Sequence, residues 1–139
     1  MKDYQIATTI DAPPEAVWQI LTTELPDDPN PFGILQFAGE ISEGAKIKIW
    51  SEVDPKRAFS LRVTKLSEPN TMIWRGGMPL GLFTGTRTFK LSSAANGTAF
   101  KMREVFSGPL SGPICKSIPD LTPSFQKFAD ALKRKAEDR

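Results

Sequence analysis

The sequence predicts an α+β fold, with one antiparallel sheet and helices set apart from the strands. Three features predict it. Seven stretches are strand-like, most of them alternating apolar and polar residues with period two. The last six follow one another across short breaks, which fits antiparallel pairing and leaves no room for crossover connections. The chain then ends in an apolar stripe of helical period. Strands in one block, with helices segregated from them, imply α+β rather than an alternating α/β order.

The elements can be justified in order. Tyr4, Ile6, Thr8 and Ile10 alternate with Gln5, Ala7 and Thr9, which reads as a strand. The period then changes in "DAPPEAVWQILTT". Pro13 and Pro14 suit a helical first turn, Glu15 complements its positive end, and Val17, Trp18, Ile20 and Leu21 form an apolar face. "LPDDPNPFG" holds too much proline for a long helix and reads as a loop with room for one helical turn. "LQFAGEI" and "KIKIWSEV" follow, parted by a turn at Ser42-Glu43-Gly44. In the second, Ile47 and Ile49 share one face, while Lys46, Lys48 and Trp50 share the other. "AFSLRVTKL" groups Phe59, Leu61 and Val63, and Glu68-Pro69-Asn70 ends it. "TMIWRGG" is a strand, "MPLGLF" a loop or bent edge, and "TGTRTFKL" and "TAFKMREVFSG" form a hairpin about Ala95-Asn96-Gly97. Four prolines interrupt the chain between Gly108 and Pro123. Leu121, Phe125, Phe128 and Leu132 then give the last helix its stripe, with Pro119 or Pro123 marking its first turn or a kink in it.

Composition narrows the functional classes. At 139 residues, positions 1–139 make one domain with a core of its own. Eighteen basic and sixteen acidic residues leave a formal charge of only +2, with the cations scattered along the chain, so no nucleic-acid partner is implied. Lys133, Arg134 and Lys135 cluster where cations suit a helix C-terminus. No apolar run reaches membrane length and no secretory leader pattern is present, so a cytoplasmic location without membrane insertion is expected. Cys115 is the lone cysteine, which rules out an internal disulfide and reads as an inert thiol. No histidine occurs, which removes the usual Ser-His-Asp and Cys-His nucleophile pairs and the commonest zinc ligand; no cofactor or metal is expected.

One strand carries an unusual charge. In "TGTRTFKL", alternation puts Arg87 on the same side as Phe89 and Leu91, which is the inner face. In the next strand Phe100, Met102, Glu104 and Phe106 share a face. A turn centred on Ala95 and Asn96 sets Glu104 opposite Arg87 on that inner side. An unpaired buried charge costs several kcal/mol, so the two are expected to pair. The pair reads either as a structural tie or as a pocket group offering part of its donor fork to a ligand carboxylate, phosphate or carbonyl.

These elements in this order resemble the SRPBCC superfamily, also described as START-like or polyketide cyclase/dehydrase-like. "TTIDAPPEAVWQIL" resembles its first strand and helix, "GEISEGAKIKI" its second hairpin, "GLFTGTRTF" and "REVFSGPL" its sixth and seventh strands, and "FQKFADALKRKAE" its last helix. The resemblance spans nearly the whole chain. It implies a helix-grip fold, with a curved antiparallel sheet of about seven strands wrapped around a long C-terminal helix and a pocket between them. Relatives often carry histidine where Arg87 stands, so a mechanism through that imidazole is not expected here.

The resemblance implies capture of a small hydrophobic ligand, lipid-, polyketide- or aromatic-like. The candidate lining is Phe32, Phe37, Trp74, Met78, Phe83, Arg87, Phe89, Met102, Glu104, Phe106, Phe125 and Phe128, although each aromatic also reads as plain core. "GGMPLGLF" is the candidate mobile rim, since its glycines permit motion and Leu80, Leu82 and Phe83 are apolar. Two alternatives stand beside ligand capture. One is a polyketide cyclase-, dehydratase- or hydrolase-like enzyme with Glu104, Arg87, Tyr4 and the threonines as its polar groups; the other is a partner protein like the chaperone activators. Trp50, opposite Ile47 and Ile49, is a candidate homodimer surface.

Overall fold

The computed structural model describes residues 2–138. Strand β1 (Lys2–Ile10) leads into helix α1 (Pro14–Gln19). A wider π-type turn (Ile20–Glu24) continues α1 to the short α2 (Leu25–Asp27), and a 3-10 turn follows at Asn30–Phe32. Next come β2 (Ile34–Ala38), β3 (Lys46–Ser51), β4 (Asp54–Ser67), β5 (Thr71–Gly77), β6 (Thr84–Ala94) and β7 (Gly97–Ser107). Helices α3 (Ser111–Ser117) and α4 (Thr122–Glu137) close the chain. The seven strands form one sheet in the order β1-β7-β6-β5-β4-β3-β2, antiparallel throughout. The sheet curls around α4, which is the helix-grip arrangement.

Alternation sets the core. Even positions of β1 and β7 and odd positions of β6 face α4, so Ile10, Phe89, Leu91, Phe100 and Met102 are buried at 3% exposure or less. Helix α4 meets them with Phe125, Phe128 and Leu132, each at 2% or less. Phe128 is the hub. Its ring lies 5.2 Å from Phe32, 5.8 Å from Phe89 and 6.4 Å from Phe100. Trp74 packs edge-on to Phe89 at 4.7 Å.

Charged groups outside the core tie α4 to the sheet. Lys133 donates to the Thr9 carbonyl (2.6 Å) and to Glu137 (2.8 Å), and Lys135 to Asp28 (3.2 Å). The basic cluster of the last turns is thus partly engaged in holding the helix. The Lys133 ammonium, and then the Asp11 backbone N–H, hold the Glu137 carboxyl below the usual carboxylate range. The backbone N–H and hydroxyl of Thr122 do the same for Asp120 at the start of α4.

The structure departs from the sequence reading in three places. Helix α3 occupies a stretch that proline content marked as irregular. Pro113 is its third residue, inside the first turn where the missing N–H has no intrahelical partner anyway. Leu110, just before it, donates its N–H to the Leu82 carbonyl at 2.9 Å, so tertiary contact fixes the entry. In β4 the register shifts between Val63 and Lys65, which returns Lys65 to the outer face and Leu66 to the inner. Phe59, grouped by parity with Leu61 and Val63, lies opposite Ile49 but is 36% exposed, with the Arg57 guanidinium 5.9 Å from its ring.

Candidate functional site

A single transverse row crosses the inner face of the sheet. Register pairs Tyr4 with Glu104, Glu104 with Arg87, Arg87 with Trp74, and Trp74 with Val63. Phenol, carboxylate, guanidinium and indole therefore stand side by side on four neighbouring strands. Its central Glu104–Arg87 pairing is the one that strand parity and the Ala95-Asn96 turn predict.

Arg87 directs Nε (2.7 Å) and Nη2 (2.6 Å) to one oxygen, Oε1 of Glu104. The two side chains retain 19% and 14% exposure, so the pair sits at a mouth and not in the deep core. The guanidinium lies 4.9 Å from the centre of the Phe125 ring, a cation–π contact that joins sheet to α4. Oε2 of Glu104 turns toward Gly85. A Cβ there would stand 3.2 Å from Oε2 and from the Phe106 ring, so the missing side chain leaves room beside the carboxylate. Tyr4 closes the row, 6.0 Å from Phe125 and 6.3 Å from Phe106. At the other end the Trp74 indole N–H is buried and has no acceptor among the described residues. An unsatisfied buried donor of this kind costs about 1–3 kcal/mol.

The candidate residues divide into three groups. Arg87, Glu104, Phe106 and Phe125 come together at the mouth, where Phe83 stacks on Phe106 (5.5 Å, 11°). Phe32, Trp74, Phe89, Met102 and Phe128 are fully buried, and Phe37 is half-buried 6.2 Å from Trp74. Met78 is 40% exposed at the rim and does not line the interior. Tyr4, noted in the sequence only as a polar group, belongs to the mouth; its even-numbered position in β1 is the signal for this.

Large rings line the space between sheet and helix. Six of them, Phe32, Trp74, Phe89, Phe100, Phe125 and Phe128, face it at 2% exposure or less. Two recesses of the described surface lie on other faces. One is on the convex face between β1, β7 and β6, and the other beside Lys2 and α3. The "GGMPLGLF" rim is a 3-10 turn at Pro79–Gly81 in which Leu80 takes φ +62° and is 97% exposed. Among the described residues, no three His, Cys, Asp or Glu side chains converge as a metal site, and no helix is long and apolar enough to cross a membrane.

The family model for polyketide cyclase / dehydrase and lipid transport matches residues 1–137. The chain belongs to this family. Solved structures similar to it share the fold. The Aha1 dimer from Colwellia psychrerythraea matches with a TM-score of 0.74 at 22% identity, covering 99% of this chain and 97% of that one. Protein MLL2253 from Mesorhizobium loti matches at 0.73 and 16%, covering 96% and 95%. DynU16, a putative protein in the dynemicin biosynthetic locus, matches at 0.70 and 16%, covering all of this chain and 50% of that one. No curated protein matches the sequence. The features of the site in this chain are the Arg87–Glu104 pair, the Gly85 gap beside it and the orphan Trp74 N–H.

Proposed function

We propose that the chain captures a small apolar molecule carrying a neutral carbonyl or hydroxyl, and that the head group docks on the Tyr4–Glu104–Arg87–Trp74 row. The observation that carries this reading is the row's chemistry. It offers two neighbouring donors, a guanidinium edge and an indole N–H, and an acceptor at Glu104 Oε2. Because the ion pair is already neutral as a unit, a neutral polar group suits it better than a second carboxylate, which Glu104 would repel. The apolar body lies against Phe125, Phe106 and Phe83.

Access runs through the rim. Phe83 covers the mouth by stacking on Phe106, and the loop before it carries left-handed Leu80 and Gly81. Swinging Phe83 outward opens the mouth without disturbing the core hub at Phe128. Membership of a family described by cyclase, dehydrase and lipid-transport activities supports an apolar ligand.

Native mass spectrometry of protein purified from its own host is the test. A discrete small-molecule adduct is expected on the wild type and is expected to be lost in Arg87→Leu, with the fold retained by circular dichroism. Bare protein in both samples, or an adduct indifferent to the substitution, removes the reading.

A further inference from the structure

The net charge of +2 conceals a strong asymmetry that only the fold displays. The seven strands contain three acids: Asp3, Asp54 and Glu104. Glu104 faces inward to Arg87, and Asp54 sits at the start of β4, where it pairs with Ser51 beside the β3–β4 turn. Cations dominate the convex face. Lys46, Arg62 and Arg75 stand directly opposite one another across β3, β4 and β5, forming an unbroken rung of three like charges. Lys90 and Lys101 stand opposite each other across β6 and β7. Lys48, Lys65 and Arg103 lie on the same face, and all eight side chains belong to exposed residues. The one acid among them is Asp3, held by the Arg103 fork.

Directly opposed like charges weaken a sheet. Scattered cations need not meet, yet here two rungs match cation to cation. Neutral residues at Lys46, Arg75, Lys90 and Lys101 would relieve this repulsion. We infer that the convex face of the sheet is a docking surface for an acidic polypeptide segment of a partner protein. The face is broad and convex, with hydroxyls such as Thr86 and Thr88 between the rungs. It has no helix or two-stranded ribbon protruding to enter a duplex groove. Stacking platforms for single strands are lacking too, since the one aromatic on this face, Trp50, is half-buried between Gln36 and Ala58. A flat bilayer touches only part of a convex surface, whereas a flexible acidic segment can follow the curve.

The test measures binding of poly-L-glutamate by fluorescence anisotropy, with single-stranded DNA and phosphatidylserine vesicles as the other arms. The quadruple variant Lys46→Gln, Arg75→Thr, Lys90→Thr and Lys101→Thr leaves the Arg62–Gly44 hydrogen bond and the inner face in place. Lys127→Gln with Arg134→Gln on α4 removes charge from elsewhere. The wild type is expected to bind poly-L-glutamate saturably at about 50 mM salt and to release it by about 200 mM. The quadruple variant is expected to lose at least tenfold in affinity and to melt no lower than the wild type, because repulsion is relieved. The α4 variant is expected to change affinity less than twofold. No saturable binding, equal affinity in the quadruple variant, or tighter binding to DNA or vesicles would each overturn the assignment. Ligand retention at the inner row is expected to be the same in the quadruple variant, which keeps this outcome separate from that of the ligand proposal.

Discussion

Phe128→Ala is expected to lower the unfolding free energy by about 3–5 kcal/mol, the range for removing a fully enclosed aromatic side chain. Phe128 is 2% exposed and touches rings from three other parts of the fold: the 3-10 turn at Phe32, β6 at Phe89 and β7 at Phe100. The cavity would open among aromatic rings that cannot collapse without moving strands. Urea unfolding followed by far-ultraviolet circular dichroism measures it, with the midpoint shifted and the slope retained. A loss below about 1 kcal/mol would mean that the sheet–helix interior is not close-packed.

Arg87→Met is the second large effect. It strands the Glu104 carboxylate, 14% exposed, beside Gly85 and Phe106. Losing the partner of a charged acceptor so placed is expected to cost about 1–3 kcal/mol. Glu104→Gln on its own leaves the guanidinium with an amide oxygen and costs less. The double variant is expected to be more stable than the sum of the two single losses allows, giving a favourable coupling energy for the wild-type pair. Strict additivity in urea melts would place the pair in effective contact with bulk water, where it contributes little.

The fold was legible because each signal was local and redundant. The β6–β7 register follows from a two-residue turn at Ala95-Asn96, and that turn alone sets Glu104 against Arg87. The inner stripe of α4 follows from helical spacing: Phe125, Phe128 and Leu132, with Leu121 just before the helix, are all buried. What parity did not deliver was depth. Arg87 and Phe89 share a face, yet one sits at a mouth and the other in a sealed core. Depth depends on where α4 ends and how many rings crowd beneath it, and no spacing in the sequence encodes that. The same limit hid the opposed cations. Lys46, Arg62 and Arg75 are far apart along the chain and meet only through the β3–β4 and β4–β5 pairings. Helix α3 was missed because its entry is fixed by the Leu110–Leu82 bond rather than by its own propensity.

Recognition at the inner row is tested most directly by comparing naphthalene, 2-acetylnaphthalene and 2-naphthoate as ligands of the wild type and of Arg87→Leu. The three share an aromatic body and differ only in carrying no acceptor, a neutral acceptor or an anionic one. Docking on the Arg87 edge predicts that 2-acetylnaphthalene binds the wild type at least tenfold more tightly than naphthalene, a difference of about 1.4 kcal/mol, and more tightly than the naphthoate. Arg87→Leu is predicted to erase that advantage. Equal binding of naphthalene and its acetyl derivative by the wild type, or an advantage that survives the loss of Arg87, would contradict it.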